Sequence, residues 1–424
     1  MKTITRTVWI LSLVSLFTDT ASEMLYPIMP IFLQSIGFSV VLIGILEGIA
    51  EATAGLCKGY FGKLSDNSGK RAPFIQLGYS LSAISKPMMI FFVFPVWIFF
   101  VRTIDRFGKG LRTGARDAML SDEATPETKG KVFGFHRSMD TFGAVLGPLA
   151  ALVFLYLRPN DYKTLFLIAF LPGIAAVLTT LLIKDKKRNQ PIAKVPTPFF
   201  SFLKYWKVSP PMYRKVVIGL LVFALFNSSD MLLLLKVKQS GMDDTSVIGL
   251  YIFYNLIYAL SAFPLGAIAD KFSLRTVFIL GLVLFAAVYA GMALTSNFYV
   301  YLALFFLYGL YAAATEGIAK AWISNITDPK DTATAIGSFA GFQSLAAMIA
   351  SSLAGGIWFL FGAEAAFICT AVVTVGVILY FMLLLKVEND KIEISIVTKK
   401  RIDGFGICAG AKPFKEDEEF HLEF

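Results

Sequence analysis

Apolar residues run along this chain in long blocks separated by short polar turns. Twelve such blocks stand at 7–35, 40–61, 73–94, 96–119, 131–157, 164–183, 216–236, 246–269, 276–295, 298–323, 333–361 and 364–386. About 20 residues of helix cross a hydrocarbon core, so each block predicts one transmembrane helix, here spans 1 to 12. A basic stretch at 184–215, with Pro191, Pro196, Pro198, Pro210 and Pro211, separates six spans from six. The predicted organisation is an all-α membrane protein of two six-helix bundles. The first covers 1–183, a central loop 184–215, the second bundle 216–386, and a polar, flexible tail 387–424. The first block follows Met1–Arg6 directly, so no removable signal peptide is expected.

Span 4 departs from the pattern. Its sequence, WIFFVRTIDRFGKGLRTGARD, places Arg102, Asp105, Lys109, Arg112 and Arg116 at alternating steps of three and four. On a helix that spacing forms a single stripe, roughly 21 Å long at about 1.5 Å per residue. A charge facing lipid at the bilayer centre costs about 2.5–3.5 kcal/mol, so the stripe is expected to face protein, water or counter-charges. Candidate counter-charges are Asp19 and Glu23 on span 1, with Tyr26 on the same face. Others are Glu47 and Glu51 on span 2, Asp140 on span 5, and Glu316 beside Lys320 on span 10. Span 3 adds Lys86, and span 7 carries Asp230 with Asn227.

Composition agrees with the pattern. The chain of 424 residues is 56% hydrophobic and 16% charged, against about 45–50% and about 25% for a soluble domain. Net charge is +9. The excess follows the turns: Lys2 and Arg6, then Lys63, Lys70 and Arg71, the loop at 184–215, and Lys271 with Arg275. The alternate loops around Gly37, Pro95 and Ser296 carry no cations. By the positive-inside rule both termini are expected in the cytoplasm, in a cell membrane, and the basic charge calls for no nucleic acid. Cys57, Cys369 and Cys408 have no ligand spacing, and His136 and His421 build no metal site, so no metal is expected.

The two halves echo each other. GKLSD begins at Gly62 and GAIAD at Gly266; QSIG ends at Gly37 and QSG at Gly241. Both pairs are 204 apart (266 − 62 and 241 − 37). A repeat one half long implies two related bundles with a site between them at mid-membrane.

These features resemble the major facilitator superfamily over about residues 7–386. The strongest motif is GKLSDNSGKR, Gly62 to Arg71, similar to that family's signature between spans 2 and 3. Gly62 allows close helix approach, Asp66 can pair with a cation or meet a helix N-terminus, and Gly69 permits the tight turn. The resemblance implies a gate latch made of Gly62, Asp66, Gly69, Arg71 and the degenerate second copy's Asp270. Arg112 and Arg116 are expected beside Asp66. GAVLGP, with Gly143, Gly147 and Pro148, resembles an antiporter-associated element of span 5. Arg102 matches an arginine of span 4 proposed in the family to take part in proton transfer. Spans 1, 4, 7 and 10 line the cavity in this family, which makes Asp19, Glu23, Tyr26, Arg102, Asp105, Lys109, Asp230 and Glu316 the coupling and substrate candidates. Glu47 and Glu51 are candidates for the interface between halves. DRFGKGLRTGARDAML, FTDTASEMLYPIMP and TEGIAKAW resemble bacterial permeases and efflux proteins.

The expectation is a monomeric twelve-helix facilitator working by alternating access. It would be a proton-coupled antiporter exporting a small organic solute, such as a drug, metabolite or siderophore-like compound. No GxxxxGK[ST] motif is present, so the proton gradient is the expected energy source and no cofactor is expected. An importer of an organic anion, a carrier of a metal or metal chelate, and a non-transporting membrane protein remain alternatives. No His/Ser/Asp or metal-ligand grouping supports catalysis, so no enzyme activity or catalytic residue is expected.

Overall fold

The computed structural model describes residues 4–404 apart from 27, 30–31, 34–35, 39, 160, 186–197 and 229. Side chains at 40–52, 231, 244–245 and 384–404 also lie outside the description, and with them Glu47 and Glu51. By its contacts the chain divides into Met1–Ile378 and Leu379–Phe424; everything below concerns the first unit.

The described secondary structure is entirely helical. Spans 1 to 6 are Arg6–Glu23, Val40–Ser68, Ala72–Met88, Pro95–Asp122, Lys129–Leu157 and Tyr162–Thr180. Spans 8 to 12 are Asp244–Phe272, Leu274–Leu294, Phe298–Asn325, Thr332–Phe361 and Ala363–Gly404. Local chemistry sets several boundaries. Thr5 and Asp161 cap their helices through the side-chain oxygen, and Asn297 accepts from two amides. Span 4 begins on Pro95, whose missing N–H is no loss in the first turn. Span 1 closes at Glu23, short of the predicted block end, ahead of Pro27 and Pro30 in the sequence.

Span 7 differs from the sequence expectation. One continuous helix was expected over 216–236; the chain instead forms Pro211–Ala224 and Asp230–Gln239. The break falls at LFNSS, where the side chains of Asn227 and Ser228 turn to the hydroxyls of Tyr311 and Tyr289. No Pro or Gly marks it.

Among the described residues, seven helices (spans 5, 6 and 8 to 12) are long and apolar enough to cross a bilayer on composition alone. The remaining spans include the charged span 4 and the broken span 7. Exposed Phe99, Leu152, Leu171, Leu280 and Val372 face outward, as a lipid-facing belt requires, while Tyr79, Tyr289, Phe285 and Phe305 are fully buried.

The two bundles meet mainly along two helix pairs, span 5 with span 8 and span 2 with span 11. Both pairs touch backbone to backbone near the face where span 1 begins, the N-face. A Cβ at Gly62 would run into the Ala333 carbonyl, and one at Gly337 into the Lys58 carbonyl. A Cβ at Gly134 would lie 2.5 Å from the Ala262 carbonyl oxygen, and one at Gly130 2.6 Å from that of Gly266. Toward the other face the same helices part: Gly249 of span 8 and Gly355 and Gly356 of span 11 have nothing within 4 Å. The end of the central loop reinforces the closed side. Lys63 donates to the Ser201 carbonyl at 2.9 Å, the buried Phe202 ring lies against Gly59, and Tyr213 donates to the Ala335 carbonyl at 2.9 Å. The cavity between the halves is therefore sealed at the N-face and open opposite it.

A side chain at Gly134 must push rigid backbone, not a flexible neighbour. Gly134→Val is expected to cost about 1–3 kcal/mol and to lengthen the distance between spin labels on the N-face ends of spans 5 and 8. Gly249→Val, in open space, is the control. Equal effects of the two would show that these contacts do not hold the N-face shut.

Candidate functional site: a charged cavity between the halves

The span 4 stripe faces inward, as its spacing predicts, and each member has a defined neighbourhood. Asp105 accepts from Lys86 Nζ of span 3 at 2.9 Å and lies 3.9 Å from Arg102 of its own helix. Arg102 is buried, whereas Lys109 is exposed within the cavity. Arg112 is buried over the Tyr79 ring, 4.3 Å from its centroid, and donates to Ser82 Oγ at 2.6 Å. Arg116 donates to Asp117 Oδ1 at 2.9 Å, and the other oxygen of Asp117 meets Lys320 of span 10 at 2.8 Å. Arg112 and Arg116 thus pack against spans 1, 3 and 10, not beside Asp66 as the sequence suggested. Four helical turns of span 4 aim them at the bundle interior, while Asp66 sits at the end of span 2.

Asp19, Glu23 and Tyr26 line the same cavity. Lys109 and Arg106 act electrostatically on Glu23, and Tyr251 of span 8 donates to it at 3.4 Å. Asp19 lines the same lobe of the cavity as Asp140. Asp140 also accepts from Ser15 and, at 2.6 Å, from Arg137. Arg137 is the residue the sequence reading passed over. It joins Asp140 of its own helix, Glu316 of span 10 and the Tyr258 hydroxyl of span 8. An arginine near the start of span 5, three residues before Asp140, was the available signal.

In the second half, Asp230 opens the second segment of span 7. It accepts from the hydroxyls of Tyr254 and Tyr308, each at 2.5 Å. Asn227, just before the break, donates to Tyr311 at 3.0 Å. The break thereby places a carboxylate at a helix start within a shell of tyrosines, two of which donate to it.

The cavity has two lobes that share lining residues. The first, about 300 Å³, is lined by nine cationic side chains and five carboxylates. The second, about 330 Å³, is lined by five carboxylates, three cations and four tyrosines. Glu316, 46% exposed at its side chain, and Tyr26, 43% exposed, border the open side. Among the described residues no group of three or more His, Cys, Asp or Glu is placed to hold a metal ion.

The latch residues form a reciprocal device. Asp66 Oδ2 accepts from the Thr334 amide at 2.7 Å and its hydroxyl at 2.8 Å, capping span 11. Asp270 accepts from the Gly130 and Lys131 amides, both at 2.7 Å, capping span 5. Donor and acceptor positions in the two caps are each 204 apart (270 − 66 and 334 − 130). Arg71 holds Asp66 at 3.2 Å and Asp122 at 2.9 Å. Gly69 turns at φ +64°, while its counterpart turn uses an extended Ser273. Gly143 and Gly147 press span 5 onto span 1; a Cβ at Gly147 would lie 2.6 Å from the Thr20 carbonyl oxygen. Pro148 lies inside the unbroken helix.

A polytopic two-bundle protein with a charged cavity sealed at one face is built as a membrane transporter. The chain belongs to the major facilitator superfamily, whose sequence profile matches residues 11–254 and 237–416. An uncharacterised MFS-type transporter of Methanocaldococcus jannaschii is 30% identical over 385 residues, covering 87% of this chain and 94% of that protein. The staphyloferrin B transporter of Staphylococcus aureus is 28% identical over 270 residues, 60% of this chain and 63% of its own length. In fold the chain is similar to the human organic anion transporter MFSD10, with TM-score 0.75 and 16% identity over 89% of this chain and 99% of that one.

Asp140 is buried, with 7% of its side chain exposed, whereas Glu316 is half-exposed. Removing Arg137 strands a buried carboxylate, so Arg137→Gln is expected to cost about 3 kcal/mol or more. Glu316→Gln is expected to cost under about 1 kcal/mol. Unfolding of the purified variants in detergent checks the order; a larger loss for Glu316→Gln would contradict this account of the network.

Proposed function

We propose that the protein is a proton-coupled antiporter that exports a small organic solute by alternating access. The observation that carries this reading is the single charged cavity built by both halves and sealed at one face by two equivalent caps. The Lys and Arg distribution assigns the N-face to the cytoplasm, so the structure corresponds to an outward-facing state. In the inward-facing state both caps would release and the parted ends of spans 5, 8, 2 and 11 would close instead.

Proton coupling is supported by the carboxyl pair. Asp19 and Asp140 line the same lobe of the cavity. Asp140 accepts from Ser15 and Arg137, whereas Asp19 forms no described ion pair, so Asp19 is the carboxyl open to take up a proton. Arg137 ties this pair to Glu316 across the halves. A proton arriving from outside on Glu316 weakens that tie. Transfer onto Asp19 leaves Glu316 ionised and paired with Arg137 again, with the proton now held in the N-terminal bundle. The halves then rock with the proton inside, and its release to the cytoplasm accompanies solute capture. GxxxGP in span 5, where Gly143 and Gly147 lock span 1 to span 5, supports export over import. The name of the staphyloferrin B transporter supports an organic solute.

The test is a liposome assay. Vesicles holding the protein, a pH-sensitive dye and a panel of organic solutes are diluted into acidic buffer. Solute efflux accompanied by internal acidification is expected. Asp19→Asn should reduce the acidification by at least ~10-fold while the protein still folds, because Asn keeps the size and polarity of the side chain but cannot carry the proton. Solute flux indifferent to the pH gradient would overturn proton coupling.

A further inference from the structure

The first lobe holds a buried guanidinium that pairs with no carboxylate among the described residues. Arg112 is 6% exposed and lines the cavity. Its described polar partners are the Ser82 hydroxyl and the face of Tyr79, and its Nε–H makes no hydrogen bond. Every other cation drawn into the described ion pairs of spans 3, 4 and 5 meets a carboxylate: Lys86 and Arg102 meet Asp105, Arg116 meets Asp117, Arg137 meets Asp140. Arg112 does not, and a buried unpaired charge costs several kcal/mol. Lys109, three residues earlier on the same face, projects into the same space and forms no described ion pair within 4 Å. Lys58 approaches from span 2 and donates to Ser344 of the other half at 2.7 Å. The lining of this lobe stays positive even if Glu47 and Glu51 are added to it.

We propose that Arg112 and Lys109 form the anion-binding end of the substrate site, and that the transported solute is an organic oxyanion, a carboxylate or a phosphate ester. This rests on the transport reading above and narrows it. The guanidinium fork supplies parallel N–H donors that fit a carboxylate or phosphate edge, and Ser82 and Tyr79 fix its plane. The second lobe, with Tyr26, Tyr251, Tyr254 and Tyr258, receives the organic body of the solute. A solute so placed touches both halves, and its charge supplies what the empty lobe lacks. Charged Arg112 is then stabilised in the loaded state, so binding and the rocking of the halves are linked.

The experiment uses the full chain in lipid nanodiscs at constant chloride, with citrate and glucose 6-phosphate as anionic probes. Glucose and tetramethylammonium are the neutral and cationic controls. Calorimetry is expected to show at least one anion binding ~10-fold or more tightly than glucose. Binding by citrate alone identifies a carboxylate solute, and by glucose 6-phosphate alone a phosphate ester. Arg112→Gln and Lys109→Gln should each weaken it by ~10-fold or more, with Arg112→Lys in between. Lys109 faces open space, so Lys109→Gln reports on the site even if Arg112→Gln fails to fold. The proposal is overturned if neither anion binds, if glucose or tetramethylammonium binds as tightly, or if Lys109→Gln leaves anion affinity within twofold. An anion that binds but drives no proton movement in liposomes would sink the transport reading and leave this site standing. Proton-linked export of a cationic or neutral solute, with no anion affinity, would do the reverse.

Discussion

A charge inside a hydrocarbon layer is costly unless it is answered by another charge, and in this protein the answer often comes from a different helix. Asp105 of span 4 meets Lys86 of span 3, and Asp117 of span 4 meets Lys320 of span 10. Arg137 of span 5 reaches Glu316 of span 10. Two of these pairs cross between the bundles. The groups that make the cavity polar enough to receive a solute are therefore the groups that set how the bundles sit. Any change in their protonation or occupancy is felt as a change in the force between the halves.

The closed face is made differently, from backbone. Asp66 and Asp270 cap the first turns of helices in the opposite bundle, and glycines beside them let the helices touch. Each contact is modest in energy, and a helix N-terminus exposed by opening can be satisfied by water. This face can open without stranding a buried charge.

The cavity is chemically uneven. Its cationic lobe belongs mainly to spans 1 to 5, and the tyrosine and carboxylate lobe reaches into spans 7, 8 and 10. The break in span 7 contributes to this division, because it turns Asp230 into the start of a helix surrounded by tyrosine hydroxyls. A solute spanning both lobes would be read for charge by one half and for shape by the other.

Much of this was written into the linear chain. Block length, the 3–4 spacing of Arg102 to Arg116, the Lys and Arg bias and the 204-residue repeat follow from the bilayer's thickness and the helix period, which act on every residue locally. They were enough for twelve spans, two bundles, an inward stripe and an Asp66 that meets a helix end. Partner choice was not legible. Arg112 and Arg116 engage Ser82, Tyr79 and Asp117 and not Asp66, Arg137 proved to be a bridge between the halves, and span 7 broke where no Pro or Gly announced it. Those outcomes depend on which helices face each other and at what depth. Only packing decides that, because a charge on one helix face is compatible with any of several partners until the neighbouring backbone is in place.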